Sequence, residues 1–113
     1  MMDHAKLLDD VRDELHHLQP LREVKMFGGI GFMWNGNLVC AVSKRGLLVR
    51  LTDADFKRLL GVNNASPMIM RSRESKNWMR LEPTAVRSKA TVRKWLKPAI
   101  ACVHAMPAKP QKS

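Results

Sequence analysis

Leu7, Leu8, Val11, Leu15 and Leu18 recur at helical spacing, which predicts an amphipathic helix from Asp3 to Leu18. Asp3 suits its N-cap, and Pro20 blocks continuation. The period then shortens. Arg22 to Phe27 reads as a short extended segment that Gly28-Gly29 interrupts. Ile30 to Trp34 and Leu38 to Val42 are apolar runs joined by Asn35-Gly36, a pair that takes the positive φ values of a tight hairpin. Lys44-Arg45-Gly46 makes a second turn. Leu47 to Leu51 returns as a third main strand, with Leu47, Val49 and Leu51 on one face and Leu48 and Arg50 on the other. Thr52 or Asp53 caps a short helix from Ala54 to Leu60, ended by Gly61. Pro67 to Met70 and Asn77 to Leu81 read as two more strands. The last helix runs from Ser88 to His104, with Val92, Trp95, Leu96, Ala99 and Val103 on one side. Pro98 lies inside it, lacks a backbone donor and opposes the Lys94 carbonyl, so a kink or break is expected there. The order is helix, three strands, helix, two strands, helix. That order predicts an α+β fold of two layers, an antiparallel sheet with helices on one face and the other face open to a partner.

At 113 residues and 12.9 kDa, the length fits a single domain with one core, expected over residues 1–106. Residues 107–113 form a polar, basic tail expected to be disordered. Aromatic residues are sparse at 5%, so eight methionines join Leu and Val in filling the interior, and methionine packs adaptably. The two cysteines, Cys40 and Cys102, are too few for a disulfide scaffold and too far apart for a zinc pair. No stretch reaches the length of a bilayer span, and the start is polar, which places the protein in the cytoplasm and makes Asn64-Ala65-Ser66 a chance glycosylation sequon.

Charge is unevenly spread along the chain. Residues 1–23 hold six acids (Asp3, Asp9, Asp10, Asp13, Glu14, Glu23) against three bases. Residues 71–113 hold eleven bases against Glu74 and Glu82, giving +9 of the total +10. Such asymmetry attracts nucleic acid, an acidic protein surface or the acidic end of a second copy; a homodimer and an intramolecular pairing are both open.

Few residues suggest chemistry. Gly28-Gly29-Ile30-Gly31 resembles a phosphate loop only in composition, because it leads into Phe32-Met33-Trp34 rather than a helix; a bend or close backbone packing is the better reading. His16 and His17 point about 100° apart on a helix and cannot share a metal as an i, i+4 pair does. His4 and His104 lack a ligand pattern nearby, so surface histidines are expected. Cys40 sits beside Leu38 and Val42 in an apolar setting unsuited to a nucleophile. The acids Asp9, Asp10, Asp13 and Glu14 lie mostly opposite the apolar stripe, as a solvated face does. No catalytic, metal or cofactor site is expected, and the chain reads as a non-enzyme.

The basic half supplies the candidate surface. Arg87, Lys89, Arg93, Lys94 and Lys97 cluster on or beside the last helix. Strand alternation places Trp78 and Arg80 on one face, with Arg50 directed the same way, and Arg71, Arg73 and Lys76 occupy the preceding loop. Bases beside an aromatic ring can hold phosphates and stack on a nucleobase. The bland alternatives are that Trp78 is core and that the bases serve solubility. A protein-binding surface ranks above a nucleic-acid surface.

The run Lys25-Met26-Phe27-Gly28-Gly29-Ile30-Gly31-Phe32-Met33, then Asn35-Gly36-Asn37 and Leu47-Leu48-Val49-Arg50, resembles the N-terminal domain of the TfoX/Sxy competence regulators. Pro67-Met68, Lys76 with Trp78, Trp95 and the ending Met106-Pro107-Ala108-Lys109 extend the resemblance over nearly the whole chain. It implies the same order of elements, a bacterial source and a part in gene regulation, since full-length regulators promote competence genes with the cyclic-AMP receptor protein. It implies no catalytic residue. The family's usual Asp-Phe pair is here Ile69-Met70, its glycine-containing loop is Arg71-Ser72-Arg73-Glu74-Ser75, and its usual Gly before Trp is Asn77. The regulators' C-terminal domain has no counterpart in these residues. The expectation is therefore a regulatory or protein-interaction module linked to transcription or competence, with direct nucleic-acid binding as the alternative.

Overall fold

The computed structural model describes residues 5–26, 28–70 and 73–107, with backbone only for residues 70 and 73–76. Helix α1 (Ala5–Leu15) is followed by strands β1 (Leu21–Met26), β2 (Gly29–Trp34), β3 (Asn37–Ser43) and β4 (Gly46–Arg50). Helix α2 (Asp53–Leu59) and a single 3₁₀ turn (Val62–Asn64) lead to β5 (Ser66–Met70) and β6 (Arg73–Leu81). A second 3₁₀ turn (Pro83–Val86) precedes α3 (Lys89–His104). The strands form one antiparallel sheet in the order β1-β2-β3-β4-β6-β5.

The α+β, two-layer reading holds, with one addition. The short extended segment is a full edge strand, so four strands rather than three precede α2. Its charged residues Arg22, Glu23 and Lys25 are exposed, which hides its strand character from a hydrophobic pattern. Asn35 and Gly36 take φ values of 51° and 79°, as the hairpin turn requires. At Gly46 (φ 113°) a Cβ would fall 2.0 Å from the Leu81 carbonyl oxygen, so the second turn needs glycine for both conformation and space.

One core lies between the helices and one face of the sheet. Leu7, Val11 and Leu15 of α1 and Val92, Trp95, Leu96, Ala99 and Val103 of α3 are buried against Phe32, Cys40, Val42, Leu47, Val49, Leu51, Met79 and Leu81. Helix α1 ends at Leu15, earlier than its stripe predicts, and Leu18 enters the core from the turn that follows. Thr52 caps α2 by accepting from the Asp55 N–H at 3.2 Å, and Ser88 caps α3 by accepting from the Thr91 N–H at 3.1 Å. Helix α3 passes through Pro98 without a break. Buried residues on both sides of the proline hold the two halves on the same sheet, which outweighs the missing hydrogen bond.

The pairing of β2 with β3 contains a bulge: Phe32 faces Cys40 and Met33 faces Leu38, so Val39 is extra. The bulge moves Leu38 off the Cys40 face, correcting the placement that simple alternation predicts. Leu38 instead meets Gly31 on the far side of the sheet. The tail expected to be disordered lies, from residue 108 on, outside the described residues.

Candidate interaction surface

The predicted basic residues divide between two surfaces that the fold keeps apart. Lys89, Arg93, Lys94 and Lys97 lie on α3 and Arg87 just before it, all exposed in the helical layer. Lys89 donates to Asp13 of α1, and Arg93 donates to Glu14 at 2.9 Å. Lys6 donates to Asp10 and to the Arg87 carbonyl, both at 2.8 Å. The acidic first helix thus lies against the basic last helix within one chain, pairing Lys89 and Arg93 and leaving Arg87, Lys94 and Lys97 without an ion pair among the described residues. Lys89 holds the Asp13 carboxyl below its ordinary range, first by the hydrogen bond and then by charge. Arg12 does the same to Glu23 through two hydrogen bonds of 2.8 and 2.9 Å, clasping β1 to α1.

Arg80 belongs to the other surface, the sheet face away from the helices, whereas Arg50 and Trp78 lie at the end of the β4 and β6 pairing, where Cys102 of α3 and Met106 just after it line the same cavity. Register places Arg50 opposite Trp78 and Leu48 opposite Arg80 on neighbouring strands. The Arg50 guanidinium sits 4.7 Å from the centroid of the Trp78 ring, a cation–π contact. It also donates to the Met106 sulfur at 3.3 Å, a weak acceptor. Burial pushes the Arg50 guanidinium below its ordinary value, with an opposing effect from nearby Cys102. Arg71 lies outside the described residues. Arg73 and Lys76 are described as backbone of β6 only, where the sequence had predicted a loop.

Sequence reasoning left out the apolar residues around these cations. Met26 of β1 and Met68 and Ile69 of β5 come from opposite edges of the sheet, yet they line one groove of about 290 Å³ with Ala41, Leu48 and Arg80. The open face is therefore concave. Ile69 is 57% exposed. Gly31 makes room for the groove: a Cβ there would fall 2.6 Å from the Met26 sulfur, so only glycine lets Met26 lie across β2. At Gly29 a Cβ would meet the Val42 carbonyl oxygen at 2.0 Å. These glycines serve close packing in the sheet, as their strand context predicts.

The remaining candidates are structural. Cys40 is fully buried, which pushes its thiol up, and Cys102 is buried beneath Arg50. His16 and His17 are exposed, and His104 stacks on Trp34 with centroids 4.8 Å apart. Among the described residues no group of three His, Cys, Asp or Glu side chains is placed to hold a metal ion. None of the described helices is long and apolar enough to cross a membrane.

Asn77 joins two elements. Its side-chain amide donates to the Leu51 carbonyl at 3.0 Å and to the Asp53 carboxylate at 2.9 Å, tying β6 to the start of α2.

The fold and surface define a small α+β domain whose helices cover one sheet face and whose other face is a concave, apolar and basic surface. The sequence matches the family model of the TfoX N-terminal domain over residues 13–103, and the chain belongs to that family, which is of regulatory type. No curated protein and no solved structure gives a significant match.

Proposed function

We propose that this domain is a non-enzymatic regulatory module that docks a protein partner on the open face of its sheet, in transcriptional or competence regulation in a bacterial cytoplasm. The observation that carries this reading is the concave face itself, where Met26, Leu48, Met68 and Ile69 surround Arg80 with no helix over them. Exposed apolar surface gathered in one concavity marks an interaction site more often than scattered exposed residues do. Membership of a regulatory family supports the same direction. Affinity capture from a bacterial lysate after nuclease treatment tests it, with Leu48→Asp as the control. The expected result is a stoichiometric protein retained by the wild-type chain and lost by a folded Leu48→Asp variant. No stoichiometric protein, or equal capture by both, overturns it.

Arg50 over Trp78, beside Arg80, favours one second reading, direct nucleic-acid binding by base stacking and phosphate contact. Titration of labelled DNA and RNA at rising salt tests it, because phosphate contacts lose affinity steeply with salt. Absence of binding at low salt ends it. The pairing of Lys89 and Arg93 with Asp13 and Glu14 leaves fewer free cations to follow a phosphate backbone than composition suggests.

A further inference from the structure

Among the described residues, every ion pair lies within α1 or α2, or joins α1 to β1 or α3. None of these pairs lies on the open face. Arg80 is half-buried in the groove wall, and no described carboxylate reaches it. Arg50, its diagonal neighbour in register, is turned instead to the Trp78 ring and to the Met106 thioether at the end of α3. Arg45 lines the rim of the groove and adds an exposed cation. A half-buried guanidinium costs desolvation energy that an acceptor offsets, and no described side chain on this face supplies one to Arg80.

The apolar neighbours narrow the choice of acceptor. Met26, Leu48, Met68 and Ile69 form aliphatic and thioether walls, suited to a large apolar side chain. At about 290 Å³ the groove is small and open, with space for one or two side chains rather than an enclosed small molecule. A second copy is disfavoured, because face-to-face pairing would bring Arg45 and Arg80 of both copies together. A nucleic-acid strand would set phosphates against the aliphatic wall.

We propose that the open face binds an acidic protein segment, with an Asp or Glu carboxylate held by Arg80, Arg45 adding its charge at the rim, and a neighbouring large apolar side chain seated between Met26, Leu48, Met68 and Ile69. This rests on the reading of the domain as a protein-binding module and gives the chemistry of its partner. The two methionines adapt the groove to side chains of different shape, so selection falls on the acid–apolar pattern more than on one residue.

Selection of random displayed peptides on the immobilised full chain, followed by titration of the enriched peptide, provides the test. The expected winners carry Asp or Glu beside Leu, Ile, Met or Phe. Arg80→Gln should weaken the selected peptide by roughly tenfold or more, the loss of one charge-assisted hydrogen-bond pair. Arg80→Glu should reverse the preference toward a peptide with Lys in place of the acid. Thermal melts of both variants matching the wild type separate these effects from unfolding. Enrichment of neutral or basic peptides, no enrichment at all, or unchanged affinity in folded Arg80→Gln overturns the proposal. A lysate protein lost by Leu48→Asp but retained by Arg80→Gln overturns it while leaving the docking reading intact. Oligonucleotide binding through Arg80 with no peptide enriched overturns both.

Discussion

Asn77 illustrates how one side chain can fix a joint between two elements. By donating to both Leu51 and Asp53, it fixes the joint between β6 and α2. Asn77→Ala should lower unfolding free energy by about 1–2 kcal/mol, read from the urea midpoint, since both acceptors lose a partner. Gly29 is constrained more severely. Gly29→Ala sets a methyl group against the Val42 carbonyl oxygen, and the chain should lose more than about 2 kcal/mol or fail to fold. Trp95 is fully buried, and its indole N–H donates to Asn63 Oδ1 at 3.2 Å, pinning the left-handed turn before β5.

Between elements, the pairing of α1 with α3 and with β1 has a pH signature. Lys89 and Arg12 hold Asp13 and Glu23 below their ordinary values of 3.8 and 4.5. The unfolded chain therefore takes up these protons first as the solution is acidified. Their contribution is full at neutral pH and is lost as pH falls through the ordinary carboxylate range and then the lowered folded values. Urea midpoints measured from neutral pH down to about pH 3 should fall, and an Asp13→Asn, Glu23→Gln variant should show a flatter profile. Within α3, Pro98→Ala restores a backbone donor in a helix already continuous through that point. It should raise stability by about 1–3 kcal/mol, checked by the thermal midpoint. Much at this scale was legible in the sequence: Asn35-Gly36 announced its hairpin, and the stripe of Val92, Trp95, Leu96, Ala99 and Val103 announced the buried side of α3. The bulge at Val39 was not, because it breaks the two-residue period and is set by pairing with β2. Part of the candidate surface was also legible, since alternation puts Trp78 and Arg80 on one face, whereas the position of Arg50 opposite Trp78 depends on the pairing of β4 with β6. The neutralisation of Lys89 and Arg93 was not, because their partners lie 76 and 79 residues away in the chain. Likewise, nothing in the local pattern brings Met26 to the same groove as Ile69.

For the whole molecule, the folded distribution of charge differs from the linear one. Lys89 and Arg93 are matched by acids of the first helix, while Arg87, Lys94 and Lys97 of the helical layer and Arg80 of the sheet face have no ion pair among the described residues. A charge-held dimer between α1 and α3 of different copies is therefore disfavoured. Light scattering at two salt concentrations should give the same monomer mass, whereas a dimer that dissociates in salt would refute this.

Pro67 sits in β5, the outermost strand beyond β6, and the pairing there slips between Pro67 and Ile69. Proline offers no N–H to an incoming strand, and the irregularity twists the edge away from a flat template. At the opposite border, β1 presents Arg22, Glu23 and Lys25 to solvent. Both borders therefore resist growth of the sheet by addition of another chain. That resistance lets the domain keep a sticky concave face exposed without seeding fibrils.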